Sequence, residues 1–351
     1  MEILLAVVSL ILILSVFLSL IKNDFWVFKI LEYPRLQKLA LIAITLACWM
    51  FFFPVKEIFY QLIVVALFLS FGYLIYKIWP YTTLSKKEMK RVKSDNPENE
   101  LRIFSANVLQ DNTQYSTMLQ QIRTSNPDIV FLLETNSAWA NATKELAKDY
   151  PYTLLAPQEN TYGLLFYSRL PIEDAKIRYL VKDDLPSIEV IIVLPSREKV
   201  QVWGLHPEPP VPGESLYSTA KDKELMMVAL LAKDCQLPCI VFGDLNDVAW
   251  SHTTELFRKT SELLDPRRGR GFYNTFSAHH WLIRYPLDYI FCSEEFGLIS
   301  MQRMPKNGSD HFATLTHLML NKELKEMQEA PKADKEELKE AVELAEQPVK
   351  E

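Results

Sequence analysis

Polar side chains suited to metal binding and acid–base chemistry follow apolar segments in the middle of this chain. Residues 238–242 are apolar and are followed at once by Gly-Asp-Leu-Asn, which contains Asp244 and Asn246. The apolar run predicts a buried strand that delivers both side chains to the rim of a sheet. Strand side chains alternate, so residues two apart can point the same way. A carboxylate beside a carboxamide can hold a water molecule and a phosphate oxygen.

The same arrangement recurs along the chain. The polar residues that end or open predicted strands are Asn107, Glu134, His206, Asp244, Asn246, Asp288 and the sequence Ser309-Asp310-His311. Any one of them is compatible with an ordinary turn or strand cap. Their recurrence in one domain instead indicates a shared polar site.

The segments that carry these residues predict an α/β domain. Predicted strands cover residues 101–108, 128–133, 162–168, 187–194, 200–205, 238–242, 287–292 and 312–318, and predicted helices cover residues 115–125 and 215–234. Strands dominate and helices intervene between them. This pattern is typical of two packed sheets with helices outside.

The first eighty residues are almost entirely apolar. Runs at residues 3–21, 39–53 and 58–79 predict three transmembrane helices, since a span needs about 20 apolar residues. A cleaved signal peptide fits poorly, because no basic n-region precedes the first run. Lysine and arginine residues lie between the first two runs and after the third. They predict that the domain after the third run faces the cytoplasm, with the helices in a bacterial inner membrane.

Composition divides the chain into four parts. Residues 1–80 are expected to hold the transmembrane helices, 81–100 a basic juxtamembrane linker, 101–320 the α/β domain and 321–351 a charged, disordered tail. The net charge of −6 argues against a general nucleic-acid-binding protein. The four cysteines lack the paired spacing of a zinc site.

The pattern of strand ends resembles the endonuclease/exonuclease/phosphatase superfamily, which has the DNase I-like fold. The resemblance covers about residues 101–320 and rests on Gly243-Asp244-Leu245-Asn246 and Ser309-Asp310-His311, found together with Asn107 and Glu134. The longer run from Gly243 to Ser251 is similar to membrane-attached bacterial members. The resemblance implies a four-layer α/β sandwich and a divalent-metal phosphoesterase.

Specific roles follow from this resemblance. Asn107, Glu134 and Asp310 are expected to bind Mg²⁺, with Mn²⁺ as an alternative, because hard cations prefer oxygen ligands. Asp244 would orient or deprotonate the attacking water, Asn246 would fix water or phosphate, and His206 would bind phosphate or act as general acid. His311, paired with Asp288, would hold the phosphate or stabilise the transition state. The sequence leaves open whether Asp244 or His311 is the base.

Further candidates for contact with phosphate or substrate are Tyr162, Arg169, Arg267, Arg268, Arg270 and Asn274. Arginine suits phosphate, although a solvated basic loop is the favoured explanation of each arginine. The remaining histidines, His252, His279, His280 and His317, are expected to be structural or at the surface. The loops look short, and no basic insert interleaved with aromatics is evident.

The sequence therefore predicts an integral-membrane, metal-dependent phosphoesterase. The expected partners are the bilayer and a phosphoester substrate, and no protein partner is identified. Membrane attachment favours a lipid or small phosphoester, a nuclease acting on DNA or RNA is the first alternative, and a catalytically silent membrane scaffold is the second. Retention of so many mutually repelling carboxylates argues against the scaffold.

Overall fold

The computed structural model describes residues 1–53 and 56–350. The N-terminal helices are α1 (Glu2–Leu18), α2 (Trp26–Ile30), α3 (Arg35–Phe52) and α4 (Ile58–Ile78). The segments Arg35–Phe52 and Ile58–Tyr81 are long and apolar enough to cross a membrane, by length and composition. The structure therefore gives two such helices where three were predicted.

The difference lies in α1, which has 17 residues rather than the nineteen or so of the apolar run. It ends where the Ser19 hydroxyl donates to the Val16 carbonyl at 2.7 Å. Three polar residues, Lys22, Asn23 and Asp24, follow shortly afterwards. At 1.5 Å per residue, α1 is about 25 Å long, slightly less than the thickness of a hydrocarbon core.

The remaining strands and α-helices form the α/β domain. In chain order they are β1 (Glu100–Asn107), α5 (Tyr115–Ser125), β2 (Ile129–Leu133), α6 (Ser137–Thr143), β3 (Tyr152–Ala156), β4 (Leu164–Ser168), β5 (Ile172–Arg178), β6 (Ser187–Val193), β7 (Lys199–Leu205), α7 (Thr219–Lys233), β8 (Cys239–Asp244), α8 (His252–Ser261), β9 (Asp288–Cys292), β10 (Phe296–Arg303), β11 (Thr314–Leu320) and α9 (Lys335–Glu346).

Two sheets pack face to face. One has the order β10-β11-β1-β2-β4-β3 and the other β5-β6-β7-β8-β9. The core between them is apolar, and the Phe131 and Phe242 rings meet edge-on with centroids 5.2 Å apart. Buried side chains of α5 and α6, such as Met118 and Trp139, cover the outer face of the first sheet, and side chains of α7 and α8, such as Phe257, cover that of the second. The predicted α/β sandwich of two sheets with helices outside is confirmed.

Three strands were not predicted from the sequence, and each lies at a sheet edge. These strands are β3, β5 and β10. Edge strands keep one side unpaired and carry polar residues that blunt it, so their apolar alternation is weak. In β5, for example, Glu173, Asp174 and Lys176 are exposed.

Parallel pairing at the centre of each sheet brings the important strand ends to one edge. β1 runs parallel to β2, with Asn107 opposite Leu133, and β7 runs parallel to β8, with Leu205 opposite Gly243. Antiparallel β9 begins beside the end of β8, where Asp244 faces Asp288. The residues that follow or begin these strands therefore converge.

The N-terminal region packs against the end of the five-stranded sheet. Arg35 donates to the Trp250 carbonyl at 2.5 Å, and the Trp250 indole donates to the Glu32 carbonyl at 2.8 Å. After α4, the Tyr81 hydroxyl donates to the Ala249 carbonyl at 2.5 Å. The connection before α3 and the segment after α4 thus contact the same loop of the α/β domain.

The charged C-terminal segment differs from the expectation of disorder. Its helix α9 begins with a capping box formed by Asp334 and Glu337. Ala341 is fully buried and Leu344 is partly buried against the cluster that covers the five-stranded sheet. Lys259 of α8 also pairs with Glu337 at 2.5 Å. Helical spacing of a few small apolar residues is enough for this packing, although the overall composition conceals it.

Candidate functional site

A close approach of two strands positions the first carboxylate of the site. Gly243 has φ = +137°, and a Cβ atom there would lie 2.0 Å from the Leu205 carbonyl oxygen. Only glycine allows this conformation and this contact. The next side chain, Asp244, is fully buried at the end of β8.

An amide group links Asp244 to the other sheet. The Asn107 side-chain NH₂ donates to Glu134 Oε1 at 2.6 Å and to Asp244 Oδ2 at 3.1 Å. Its Oδ1 accepts from the Leu109 backbone N–H at 3.1 Å. The Ser309 hydroxyl donates to the Asn107 carbonyl at 2.8 Å. The ends of β1, β2 and β8 and the loop before β11 are therefore joined in one network.

Glu134 has an electrostatic environment that disfavours its charge. Burial raises its pKa to about 7; the Asn107 hydrogen bond opposes this rise, and the nearby Asp244 and Asp310 carboxylates add to it. Its backbone has φ = +55°, an uncommon conformation for a residue other than glycine. A bound cation would relieve both the desolvation and the repulsion between carboxylates.

His311 lies between two carboxylates. Its Nδ1 is 2.9 Å from Asp288 Oδ2, and its Nε2 is 3.6 Å from Asp244 Oδ2. Burial alone would lower the pKa of His311, but Asp288 and Asp244 outweigh burial and raise it to about 10. The ring is therefore an imidazolium at neutral pH. The Phe276 ring packs against it with centroids 5.0 Å apart.

The second predicted histidine has the opposite charge state. His206 is buried, and burial lowers its pKa to about 4. Its Nδ1 has no hydrogen-bond partner among the described residues. The Tyr162 ring lies 5.5 Å from it, and the Tyr162 hydroxyl donates to Glu214 at 2.6 Å. His206 is neutral at physiological pH.

The loop after Asp244 folds back on the site. The Asn246 backbone N–H donates to Asp244 Oδ1 at 2.9 Å, and the Asn246 side chain donates to the Pro207 carbonyl at 3.0 Å. The Tyr33 hydroxyl, from the N-terminal region, donates to the Asn246 carbonyl at 2.8 Å. No local pattern pointed to Tyr33, because its contact spans 213 residues of sequence.

Two groups of residues offer ligand atoms for a divalent metal ion. Ligand atoms of Asp244, Asp288 and His311 lie within 4.8 Å of one another. An imidazolium has no free lone pair, however, and both nitrogens of His311 already face carboxylates. The carboxylate oxygens of Glu134 and Asp310 suit Mg²⁺ or Mn²⁺ better, and burial raises the pKa of Glu134, a cost that a bound cation would offset. The Asn107 amide turns its NH₂ group toward Glu134 and its oxygen toward the Leu109 N–H.

Of the four predicted arginines, only Arg267 reaches this edge, where its guanidinium donates to the Asp288 backbone carbonyl at 3.3 Å. Arg169 lies beyond the opposite end of β4, stacked over the Tyr150 ring at 4.5 Å. The other three lie in the loop before β9. Within that loop, Arg267 pairs with Asp265 at 2.7 Å and Arg270 donates to the Pro266 carbonyl at 2.9 Å, whereas Arg268 pairs with Glu88, from the segment after α4, at 3.0 Å. Their guanidinium groups are therefore engaged in contacts within the fold.

Asn274 adjoins the site through the residue that follows it. Its neighbour Thr275 accepts the backbone N–H of Asp288 through its hydroxyl at 3.2 Å. The Asn274 carbonyl itself accepts from Arg303 at 2.7 Å. Two of the histidines without an expected role pair with glutamates elsewhere: His252 with Glu340 at 2.7 Å and His317 with Glu100 at 2.8 Å.

A model of the Endonuclease/Exonuclease/phosphatase family matches residues 102–311, more than half of the chain. No curated protein matches the sequence significantly. Solved structures do match: an endonuclease/exonuclease/phosphatase from Beutenbergia cavernae is 19% identical, with a TM-score of 0.52, covering 64% of this chain and 72% of its own.

Two eukaryotic structures are similar to the same extent. The human Nocturnin catalytic domain is 16% identical with a TM-score of 0.52, covering 67% of this chain and 98% of its own. D. rerio TDP2, complexed with single strand DNA product, is 16% identical with a TM-score of 0.53, covering 62% and 98%. These likenesses concern the fold. Together with the family match, they establish that the chain belongs to the endonuclease/exonuclease/phosphatase family of phosphoester hydrolases.

Proposed function

We propose that this protein is an integral-membrane, divalent-metal-dependent phosphoesterase that cleaves a lipid or small phosphoester by attack of water. One observation carries the proposal. Asp244 contacts Asn107, which also holds Glu134, and lies 3.6 Å from His311, so an anionic acceptor, a cation and a candidate metal site adjoin one another.

The charge states suggest how the roles are divided. His311 is protonated at neutral pH and cannot accept a proton, so it stabilises negative charge on the phosphate. Asp244 is the acceptor for the water proton, since burial raises its pKa toward the range useful for a base. Asn246 orients water or phosphate, and Asp288 holds the His311 ring. Neutral His206 donates a hydrogen bond to phosphate.

The metal has a defined place in this scheme. Glu134, Asn107 and Asp310 would hold Mg²⁺ or Mn²⁺ through oxygen atoms. When bound, the ion polarises a phosphoryl oxygen and offsets charge in the transition state. Asn107 keeps Glu134 and Asp244 in register, and Ser309 fixes the backbone of Asn107.

Membrane integration is supported by α3 and α4, and by the charges that flank them. Lys22, Lys29, Arg35 and Lys38 precede the apolar part of α3, and Lys86, Lys87, Lys90, Arg91 and Lys93 follow α4. Both groups would face the cytoplasm of a bacterial cell, with the α/β domain. A phosphatase reporter that is active only in the periplasm should stay inactive when it is fused after Lys93. Strong reporter activity would mean that the α/β domain faces the periplasm.

Nucleic acid is the second candidate substrate. The D. rerio TDP2 structure, which holds a single strand DNA product, favours it by analogy of fold. The net charge of −6 and the internal pairing of Arg267 and Arg268 favour a small or lipid phosphoester, because nucleic-acid binding depends on many free cations.

A substrate panel tests the proposal. The full-length chain in detergent would be given plasmid, single-stranded DNA, RNA, phospholipid and inositol phosphates, with Mg²⁺ or with EDTA. We expect EDTA-sensitive turnover of a lipid or inositol phosphate that Asp244→Ala abolishes. Turnover of DNA alone would establish the nuclease alternative. Failure to cleave any phosphoester would favour a scaffold.

A further inference from the structure

The loop between Phe276 and Tyr285 exposes three consecutive large apolar side chains. Trp281 is 75% exposed, Leu282 60% and Ile283 46%. Elsewhere in the described part of the α/β domain, from residue 100 to 320, exposed large apolar side chains occur singly. Contiguous exposed apolar surface in a folded domain marks a contact with a partner or a membrane.

Hydrogen bonds fix the base of this loop. The Ser277 hydroxyl accepts the backbone N–H groups of His279 at 3.2 Å and His280 at 3.3 Å. Arg284 donates to the Ser277 carbonyl at 3.1 Å. The base is closed on itself, so the apolar tip is held away from the core.

The same loop begins at the candidate site. The Phe276 ring packs on His311 with centroids 5.0 Å apart. Two residues later, the Ala278 N–H donates to the Asp310 carbonyl at 2.6 Å. Whatever the tip of the loop contacts is therefore adjacent to the phosphate site.

The tip also touches the N-terminal helices. Gln37, in the first turn of α3, donates through its side chain to the Leu282 carbonyl at 2.7 Å. Lys38 is the last charged residue before the uncharged remainder of α3, residues 39–52. The boundary of the apolar zone thus lies one or two residues, about 3 Å, beyond the point that the loop touches. Tyr33 and Tyr285 meet edge-on, at 5.4 Å, just behind this contact.

The charge of the loop suits a phospholipid surface. Residues 276–287 contain two histidines and one arginine and no acidic residue. Arg284 and Arg303 both lie over the Phe312 ring, at 5.1 Å and 4.2 Å, beside the same edge of the domain. Tryptophan favours the headgroup region of a bilayer, and arginine favours lipid phosphate.

We infer that residues 281–283 lie in the interfacial layer of the bilayer that α3 crosses, and that a phospholipid reaches the site along this loop. The inference rests on the proposed function and sharpens it, because the substrate is then a phospholipid headgroup presented by the surrounding membrane. The tip would enter the lipid while Phe276 and Ala278 keep its base against His311 and Asp310.

Lipid contact is tested without catalysis. Ile283→Cys, labelled with an environment-sensitive fluorophore, would be compared with Leu231→Cys, which is 47% exposed on α7 in the wild type. Cys48 and Cys235 would be replaced by serine in both chains, and the full-length proteins placed in nanodiscs containing brominated phosphatidylcholine. We expect bromine quenching at position 283 and none at position 231. Equal quenching at the two positions would overturn the inference.

Substrate delivery is tested by activity. The double variant Trp281→Ser/Ile283→Ser would be compared with Tyr179→Ser/Leu231→Ser. The second variant removes two exposed large apolar side chains that have no exposed apolar neighbour in sequence. Hydrolysis of phosphatidylcholine and phosphatidylglycerol vesicles should fall at least about tenfold in the first variant only, because interfacial binding scales with buried apolar area. Hydrolysis of soluble bis-p-nitrophenyl phosphate should not change.

Two results would contradict this delivery role: an equal fall on soluble and vesicle substrates, or no fall on either. A wild-type chain inactive on every phosphoester would instead refute the proposed function. The quenching experiment would still decide where the loop lies.

Discussion

The two halves of the candidate site rest on different supports. Asn107 and Glu134 extend from the six-stranded sheet and are held from within the α/β domain, by Leu109 and Ser309. Asp244 and Asn246 extend from the five-stranded sheet, and their loop is also held from outside it. Tyr33 contacts Asn246. One half of the site is therefore self-supporting, and the other depends on the N-terminal region.

The helical layers outside the two sheets also differ in their buried polar contacts. Beside the five-stranded sheet, buried Lys221 pairs with Asp247 at 2.5 Å, and Lys29 pairs with Asp222 at 3.0 Å. Beside the six-stranded sheet, the buried polar contacts include neutral ones, such as Asn307 with Gln121 at 3.3 Å. Removing one partner of a buried ion pair is costly, so the Lys29–Asp222 pair favours one arrangement of the N-terminal region against the α/β domain. The loop that follows Asp244 is also tied to the N-terminal region, through Tyr33.

The largest expected effect concerns Asp244, in the half of the site that also depends on the N-terminal region. Asp244→Asn keeps the shape of the side chain and removes its capacity to accept a proton. We expect kcat to fall by about a hundredfold to ten-thousandfold, the usual size of a general-base contribution. Exposed Asp111→Asn is the control. Steady-state kinetics on the preferred phosphoester would measure the change, and a variant within twofold or so of wild type would remove Asp244 from the mechanism.

In the self-supporting half, Glu134→Gln should act through the metal. We expect the Mg²⁺ concentration for half-maximal activity to rise by at least about tenfold, because a charged oxygen ligand is lost. The increase in melting temperature that Mg²⁺ gives to the wild type should shrink in parallel. Glu145→Gln, on the surface of the same half, is the control. An unchanged Mg²⁺ dependence would place the metal elsewhere.

A smaller effect would separate the two supports. Tyr33→Phe and Tyr150→Phe each remove a hydroxyl that donates to a backbone carbonyl, at 2.8 Å and 3.0 Å. Each should cost about 1 kcal/mol of stability. Only Tyr33→Phe should also lower kcat, by about threefold to tenfold, since small displacements of catalytic groups are costly. Equal kcat values would mean that the N-terminal region does not position the loop after Asp244.

The smallest effect concerns pH and the layer outside the five-stranded sheet. Burial raises the pKa of Glu224 from 4.5 to about 7, although Ser187 donates a hydrogen bond to it. The folded state holds this proton more tightly than the unfolded state, so stability falls as the pH rises from 4.5 through 7. Glu224→Gln removes that loss.

Thermal melts in detergent would measure this. The Glu224→Gln variant should melt about 2–4 °C above the wild type near pH 8, and the difference should vanish near pH 4.5. Exposed Glu173→Gln should change nothing at either pH. A constant difference at all pH values would mean that Glu224 does not titrate in this range.

The sequence was sufficient where local pattern and tertiary role coincide. The helix predicted at residues 115–125 is α5, and the central strands β1, β2, β7 and β8 were found because both of their faces are buried. Their ends carry Asn107, Glu134, His206 and Asp244, so most of the site followed from strand prediction alone.

What the sequence could not give depends on contacts distant along the chain. Arg267 looked free for phosphate until the structure placed Asp265 beside it. The loop at residues 281–283 looked like part of a short connection, and its exposure is visible only in three dimensions. The packing of α9 was hidden by its charge, because only Ala341 and Leu344 signal it.

The position of α9 has a consequence for biogenesis. Its Glu340 pairs with Lys22, from the connection before α3, and with His252, from α8. Helix α9 therefore links the N-terminal region to the α/β domain. During synthesis α1 to α4 emerge before the α/β domain and α9 emerges after its strands, and domains generally fold in that order. The contact between the N-terminal region and the α/β domain is therefore completed only after residues 335–346 have left the ribosome.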